Sequence, residues 1–378
     1  MAQNHQRPFW GFTDMIRHRL TLLALGAVLT ASLLPSPAGA QNNYTALYNR
    51  YRFHDLGPSA RSAGMGGVYS ALRGGEMGLT GNPAALGFQE KPYVMLEFDS
   101  DEVAGVVRDV KAKSDLWSGG AGLAYPFEWG GVGISYNYRS NDFKADPFTD
   151  PSMEFIQDRD LERHALSVGA GYRFTDQLAV GYRYSFLTWD ANIDFVQIRP
   201  AILAFPRLEE NFDGHRNQVG VQYRFNDLLT FGLDGYYGFG DRNSGPLGDA
   251  DADSWAIRGG VAYKVSETLP LLVAMDLNFE NRKLDGSDNN TNEDTFGLHL
   301  GAEYKVTDYV ALRAGYQYLN IDYKDKDRIQ SFKENPSIGG YTAGLGFEWR
   351  NFSLDYGFIY TDAGRGEFTN IVGFGFHF

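Results

Sequence analysis

From about residue 91 to the end of the chain, apolar and polar side chains take turns with a period of two. Over 294–306, Phe296, Leu298, Leu300, Ala302, Tyr304 and Val306 fall on one face and Gly297, His299, Gly301, Glu303 and Lys305 on the other. Over 340–350, Tyr341, Ala343, Leu345, Phe347 and Trp349 oppose Thr342, Gly344, Gly346, Glu348 and Arg350. A period of two is the signature of strands; a helix would repeat its apolar positions every three or four residues. The pattern returns as a phrase in which a strand ends on aromatics, a short polar turn follows and a new strand begins. Examples are GAGYRF-TDQ-LAVGYRYSF (169–186), VQYRF-ND-LLTFGLDGYY (221–237) and LGAEYKV-TDY-VALRAGYQY (300–318).

Fourteen strands are predicted, the first near 91–99 and the last near 367–378. Six tight turns follow the even-numbered strands. The seven connections after odd-numbered strands read as longer polar loops: 100–115, 140–161, 190–216, 239–253, 283–293, 324–338 and 361–366. Short turns at one end and long loops at the other, on an even number of strands, predict an all-β fold: a closed, antiparallel, transmembrane β-barrel. The alternation turns Arg173, Arg183, Arg224, Asp234, Arg258, Asp276, Arg313 and Asp355 toward the lumen. It leaves Tyr125, Tyr172, Tyr223, Tyr263, Tyr304 and Trp349 beside the short turns, where an aromatic girdle meets the headgroups.

Composition agrees with alternate-facing membrane strands. Tyr (23), Phe (27) and Gly (45) are abundant while mean hydropathy is negative, and no segment after residue 40 approaches 18 consecutive apolar residues. Residues 1–40 read as a cleaved signal peptide: Arg17 and Arg19, an apolar run from Leu20 to Leu34, then Ala38-Gly39-Ala40. Its removal takes away Arg7, Arg17, Arg19 and Asp14, moving the net charge from −13 to −15. That acidity opposes nucleic acid. There is no cysteine to staple the fold or to carry a lipoprotein anchor. The chain ends Val372-Gly-Phe374-Gly-Phe376-His-Phe378, alternating aromatics finishing on a terminal Phe, as expected of a signal for the outer-membrane barrel-assembly machinery.

Residues 41–90 do not alternate. They carry SARSAGMGGVYSAL (59–72) and GNPAAL (81–86). An apolar, Gly-rich segment must bury itself, and the Gly-lined lumen faces leave room, so it is predicted to plug the barrel. Gly64-Met-Gly66-Gly67 lacks the Lys-Ser/Thr of a phosphate-binding loop. These two phrases resemble the N-terminal hatch of the outer-membrane long-chain fatty-acid and aromatic-hydrocarbon transporter family (FadL-like), with Gly64, Gly66, Gly67, Asn82, Pro83 and Ala84 as the matching positions. A PorV-like branch that serves as a shuttle in a bacterial secretion system shares the motif. The chain departs from the pattern at Arg73-Gly-Gly-Glu76, where an acidic stretch is common, and at Ala85 in place of Gly.

The resemblance implies a domain order of signal peptide (1–40), hatch (41–90) and barrel (91–378). It also implies a Gram-negative outer-membrane location among its lipids, and passage of a hydrophobic small molecule past the hatch and sideways into the membrane. Apolar clusters in the predicted outer loops are the candidate ligand-binding residues: Phe143, Phe148 and Phe155, with Ile193, Phe195, Ile198 and Phe205. Arg61, Arg73 and Arg183 are candidates for holding a ligand carboxylate. Two other functions compete: a shuttle binding secreted proteins, and a general porin. No enzyme motif, cofactor or metal site is expected. Seven scattered His and an Asp249-x-Asp251-x-Asp253 stretch without the Gly and Glu of a calcium loop supply none.

Overall fold

The computed structural model describes residues 58–107, 110–149, 154–199, 203–204, 208–243, 249–266, 269–286, 289–327, 331–362 and 367–378, some of them by backbone alone. The predicted signal peptide, the first part of the predicted hatch (41–57) and Phe205 lie outside these residues.

Fourteen antiparallel strands form the wall among the described residues. They are β1 (Tyr93–Val107), β2 (Val110–Phe127), β3 (Gly130–Thr149), β4 (Glu154–Arg173), β5 (Leu178–Arg199), β6 (Leu208–Arg224) and β7 (Leu229–Asn243). The circuit continues with β8 (Asp249–Lys264), β9 (Leu271–Gly286), β10 (Asn289–Lys305), β11 (Val310–Asp327), β12 (Ser337–Trp349), β13 (Phe352–Thr361) and β14 (Glu367–His377). Each pairs with its sequence neighbour, and β14 returns to β1 from Tyr93↔His377 to Glu102↔Phe368. The sheet therefore has no free edge, as a lipid-embedded sheet requires. Two short ladders, Leu203–Ala204 and Ser331–Glu334, decorate β5 and β11.

Three of the short turns are built alike, because the same chemistry recurs in sequence. Thr175, Asn226 and Thr307 each lie two residues beyond the end of a strand, after Phe174, Phe225 and Val306. Each side-chain oxygen accepts two backbone N–H groups at 2.8–3.2 Å, from Gln177 and Leu178, from Leu228 and Leu229, and from Tyr309 and Val310. Such Asx and ST turns pin the register of the hairpins they close.

The strands run well past the predicted loops. Residues 140–149, 154–161, 190–199 and 208–216 are paired strand, with Phe143 opposite Arg159, Phe148 opposite Phe155 and Gln157 opposite Phe195. Alternation is a membrane signal, so it fades where both faces of a strand leave the lipid, while backbone pairing continues. The same correction applies to Asp249-x-Asp251-x-Asp253, which opens β8 as extended backbone, with Asp249 and Asp251 exposed. On this outer rim Asp213, Asp241, Asp251 and Asp285 are direct cross-strand neighbours on β6 to β9, all exposed.

The two faces sort as expected. Leu233, Ile257, Leu277, Phe296, Leu345 and Phe347 are exposed on the outside, whereas Arg183, Asp234, Asp276 and Arg313 are buried inside. Leu277, paired with Leu298, sits midway along its strand. Arginine at this position is expected to destabilise the barrel by about 2–4 kcal/mol. Denaturant unfolding in vesicles measures this, and a loss below about 1 kcal/mol would place the side chain away from lipid.

Candidate functional site

Residues 58–90 fold inside the wall. A short helix α1 (Ala60–Gly64) is capped by the Ser59 side chain, a second, α2, spans Gly75–Thr80, and a 3₁₀ turn spans Pro83–Phe88. Asn82 caps that turn, its Oδ1 accepting the Ala84 N–H at 3.0 Å, with Pro83 at the first turn position where a missing N–H costs nothing. Sequence periodicity misses helices this short; the Ser59 and Asn82-Pro83 start signals mark two of them.

The segment touches all fourteen strands, and glycine explains how. A Cβ added at Gly232 would lie 1.9 Å from the Ser70 carbonyl oxygen, at Gly181 2.2 Å from Pro83, at Gly171 2.2 Å from the Gly87 nitrogen, and at Gly315 2.3 Å from the Gly66 nitrogen. Gly131, Gly301, Gly344 and Gly357 meet Leu86, Met65, Gly64 and Ala60 in the same way. Lumen-facing glycines thus form a seat in which segment backbone lies directly on wall backbone. Gly66 and Gly67 adopt positive φ (73° and 81°), which a side chain would strain. Buried apolar side chains fill the remainder: Met65, Val68, Leu72 and Met77 pack with Ala262 and Ala274, and Leu79 and Leu86 with Tyr93 and Met95.

Polar latches tie the segment's backbone to the wall. Asp276 accepts the N–H groups of Tyr69 and Ser70 at 2.8 and 3.0 Å; Asp234 accepts the Ser70 hydroxyl at 3.1 Å. Gln222 donates to the carbonyls of Ser70 and Leu72, and Glu97 accepts the Ala60 N–H. Thr342 receives the Gly66 N–H at 2.8 Å, and His299 donates through Nδ1 to the Gly66 carbonyl at 2.7 Å. All but the Ser70 hydroxyl bond close a backbone group that burial would otherwise leave unpaired.

The three candidate carboxylate-binding arginines are already engaged. Arg61 grips Glu303 with two hydrogen bonds, at 2.9 and 3.0 Å, and reaches Glu76 at 3.1 Å. Burial pushes the Glu76 carboxyl above its ordinary range, and Arg61 counters only part of that shift. Arg183 donates to the carbonyls of Leu79, Thr80 and Gly81 at the end of α2, and Arg73 donates to Thr230. Their role in the structure is to hold the segment. On β10, β11 and β13, Glu303, Arg313 and Asp355 extend the Arg61 pair into a chain across the wall, at 2.7 Å (Arg313–Glu303) and 2.6 Å (Arg313–Asp355).

Above the segment, strand residues that periodicity assigned to loops or loop borders turn inward as an apolar cluster. Trp189, Ala191, Phe212, Ala250, Ala252 and Leu284 are buried together, with Trp189 and Phe212 stacked at 6.0 Å between ring centroids. Phe143, Phe148, Phe155, Ile193, Phe195 and Ile198 lie on the adjoining upper stretches of β3, β4 and β5, where the structure describes the backbone alone. Beside the segment, a narrow open cleft runs between α2 and the wall of β1 to β4. The ladders of β2–β3 and β3–β4 are continuous past it, with a register shift only higher up, between Ala145 and Phe148, so no sideways gap breaks the wall at this level. Phe374, Phe376 and Phe378 lie on the outer side of the closing strand and its end, with the Phe352 and Phe376 rings tilted against each other at 4.7 Å between centroids. Among the described residues no three His, Cys, Asp or Glu side chains converge as metal ligands.

A family model described as outer membrane protein beta-barrel domain matches residues 190–350. The toluene transporter TodX of Pseudomonas putida superposes with a TM-score of 0.61 at 15% identity, covering 86% of this chain and 100% of TodX. The toluene transporter TbuX of Ralstonia pickettii gives 0.60 at 14% identity, covering 86% and 100%. A FadL homologue of Pseudomonas aeruginosa gives 0.57 at 12%, covering 84% and 97%. No curated protein sequence matches. The fold is that of these outer-membrane channels.

Proposed function

We propose that this chain is an outer-membrane channel for passive uptake of hydrophobic small molecules, aromatic hydrocarbons or long-chain fatty acids, with residues 41–90 as a movable hatch. The observation that carries the proposal is a barrel of this fold whose lumen is occupied by its own glycine-seated N-terminal segment. Such a filled bore favours a gated channel over a general porin. The apolar cluster of Trp189, Phe212 and Leu284 lies above the segment, where ligand collected by the upper parts of β3 to β5, including Phe143, Phe148, Phe155, Ile193, Phe195 and Ile198, would arrive, with Phe205 as a further candidate from the sequence. Apolar burial at about 25 cal/mol per Å² draws ligand from water, and displacement of the segment lets it pass. No bond is made or broken, so the protein is not an enzyme. The signal peptide delivers the chain, and the alternating aromatics ending at Phe378 present it to the barrel-assembly machinery. Deleting the gene is expected to slow uptake of toluene or oleate by intact cells at limiting concentration, with recovery on complementation. Unchanged uptake of every apolar compound tested would overturn the proposal.

A further inference from the structure

We infer that the first residues of the mature chain, 41–57, dock inside the barrel on its apolar upper wall, above the glycine-seated segment. The inference goes beyond the channel reading and stands on the fold alone. Residues 58–90 descend through the bore. At their lower end Phe88 lies under the Arg224 guanidinium and Gln89 lies against Gly131, beside the short turns. Ala60 lies higher, against Gly357 and Gly373. Pro58 lines the cleft with Asp99, Asn137 and Ile371, which stand six or seven residues up their strands from the short-turn ends. The chain before Pro58 therefore starts in the upper bore, with the seated segment beneath it and a closed wall around it. It either lines that bore or leaves by the outer mouth.

The upper wall is covered on both sides of the bore. Trp189 on β5 is six residues beyond Arg183, which holds Leu79 to Gly81; Ile321 on β11 is six residues beyond Gly315, which seats Gly66. At about 3.3 Å per residue, each stands about 20 Å along its strand above the segment. Yet Trp189 is 2% exposed, Ile321 0% and Tyr323, one turn of the alternation further up, 1%. The two strands are six apart in a circuit of fourteen, on nearly opposite sides. Inward side chains fill a barrel of about eight strands; across fourteen they leave a bore between them. Burial on both sides of that bore calls for an occupant. Among the described residues the cluster around Trp189 consists of wall side chains, so residues 58–90 do not supply it. Residues 41–57 have the length and the side chains to do so. Seventeen residues reach up to about 56 Å when extended, more than twice the height to be covered. Tyr44, Leu47, Tyr48 and Tyr51 recur at i, i+3, i+4 and i+7, the spacing of one helix face, and Phe53 and Leu56 follow. Pro58 tethers them within the bore, which gives them a high effective concentration at the wall. An apolar molecule entering the mouth then meets a surface already covered by the chain itself.

The chain has no cysteine, so single introduced cysteines report burial directly. The test uses the full mature protein in lipid nanodiscs and measures labelling rates with a water-soluble maleimide. Ile321→Cys and Phe53→Cys are each expected to label at least about tenfold more slowly than Asp251→Cys on the exposed rim. Deleting residues 42–56 from the Ile321→Cys protein is expected to raise its rate at least about tenfold. Because a deletion can disturb assembly, a second variant keeps the length and carries Tyr48→Asp, Tyr51→Asp and Phe53→Asp. It is expected to uncover Ile321→Cys in the same way, with the heat-modifiable mobility of a folded barrel retained. An Ile321→Cys site that stays protected in both variants would show that an outer connection, and not the leading segment, covers the wall. Phe53→Cys labelling as fast as Asp251→Cys would place the segment outside the mouth. Either result would overturn the inference and leave the channel reading standing.

Discussion

Replacing Gly232 by valine is expected to open the lumen to ions. The added Cβ would fall 1.9 Å from the Ser70 oxygen, 2.2 Å from its carbon and 2.7 Å from the Ala71 nitrogen, all of them backbone atoms with no rotamer to change. Overpacking alone costs about 1–3 kcal/mol. Moving Ser70 away also releases the Asp276, Asp234 and Gln222 bonds made there. Wall ladders on both sides of Gly232 are long, so the segment yields before the barrel does. The check is single-channel conductance in planar bilayers, expected to rise several-fold over wild type, alongside the heat-modifiable mobility of a folded barrel. Wild-type conductance from a folded variant would show that the segment is not seated on this glycine.

The second large effect is expected at Arg313. Its guanidinium lies between Glu303 and Asp355, and its side chain is 2% exposed. Arg313→Met removes the charge and leaves Asp355 with no ion-pair partner among the described residues, while Glu303 keeps Arg61. Stranding one member of a buried ion network costs about 3–5 kcal/mol, far more than the net worth of the intact pair, because the survivor keeps its desolvation penalty. Denaturant unfolding in vesicles measures the loss, and a double-mutant cycle isolates its source. In an Asp355→Asn background the same Arg313→Met change is expected to cost clearly less. Equal costs in the two backgrounds would mean that Asp355 is not the stranded partner.

The wall was legible from residue types alone because lipid imposes the rule. Leu277 and Leu298 must face outward and Asp276 and His299 inward, which leaves one register for each strand. The tight turns announced themselves through Thr175, Asn226 and Thr307. The upper wall was not legible: Trp189, Phe212 and Leu284 turn inward beyond the lipid, where nothing forces their opposite faces to be apolar and the alternation dissolves. The roles of Arg61 and Arg183 were likewise hidden, since their partners lie 242 residues away in Glu303 and 102 to 104 residues away in the carbonyls of Leu79 to Gly81. No local pattern encodes such distances. The cleft beside α2 left no trace in sequence for a related reason: it consists of what small residues fail to fill.

The row of Asp213, Asp241, Asp251 and Asp285 on the outer rim makes the top of the barrel sensitive to electrolyte. Four carboxylates side by side push neighbouring strands apart. Dissolved ions shorten the reach of that repulsion to about 8 Å at physiological strength, against about 30 Å at 0.01 M. Diluting the medium therefore loosens the mouth of the barrel while the lipid-wrapped girth stays shut, and brackish or saline surroundings draw that mouth tight.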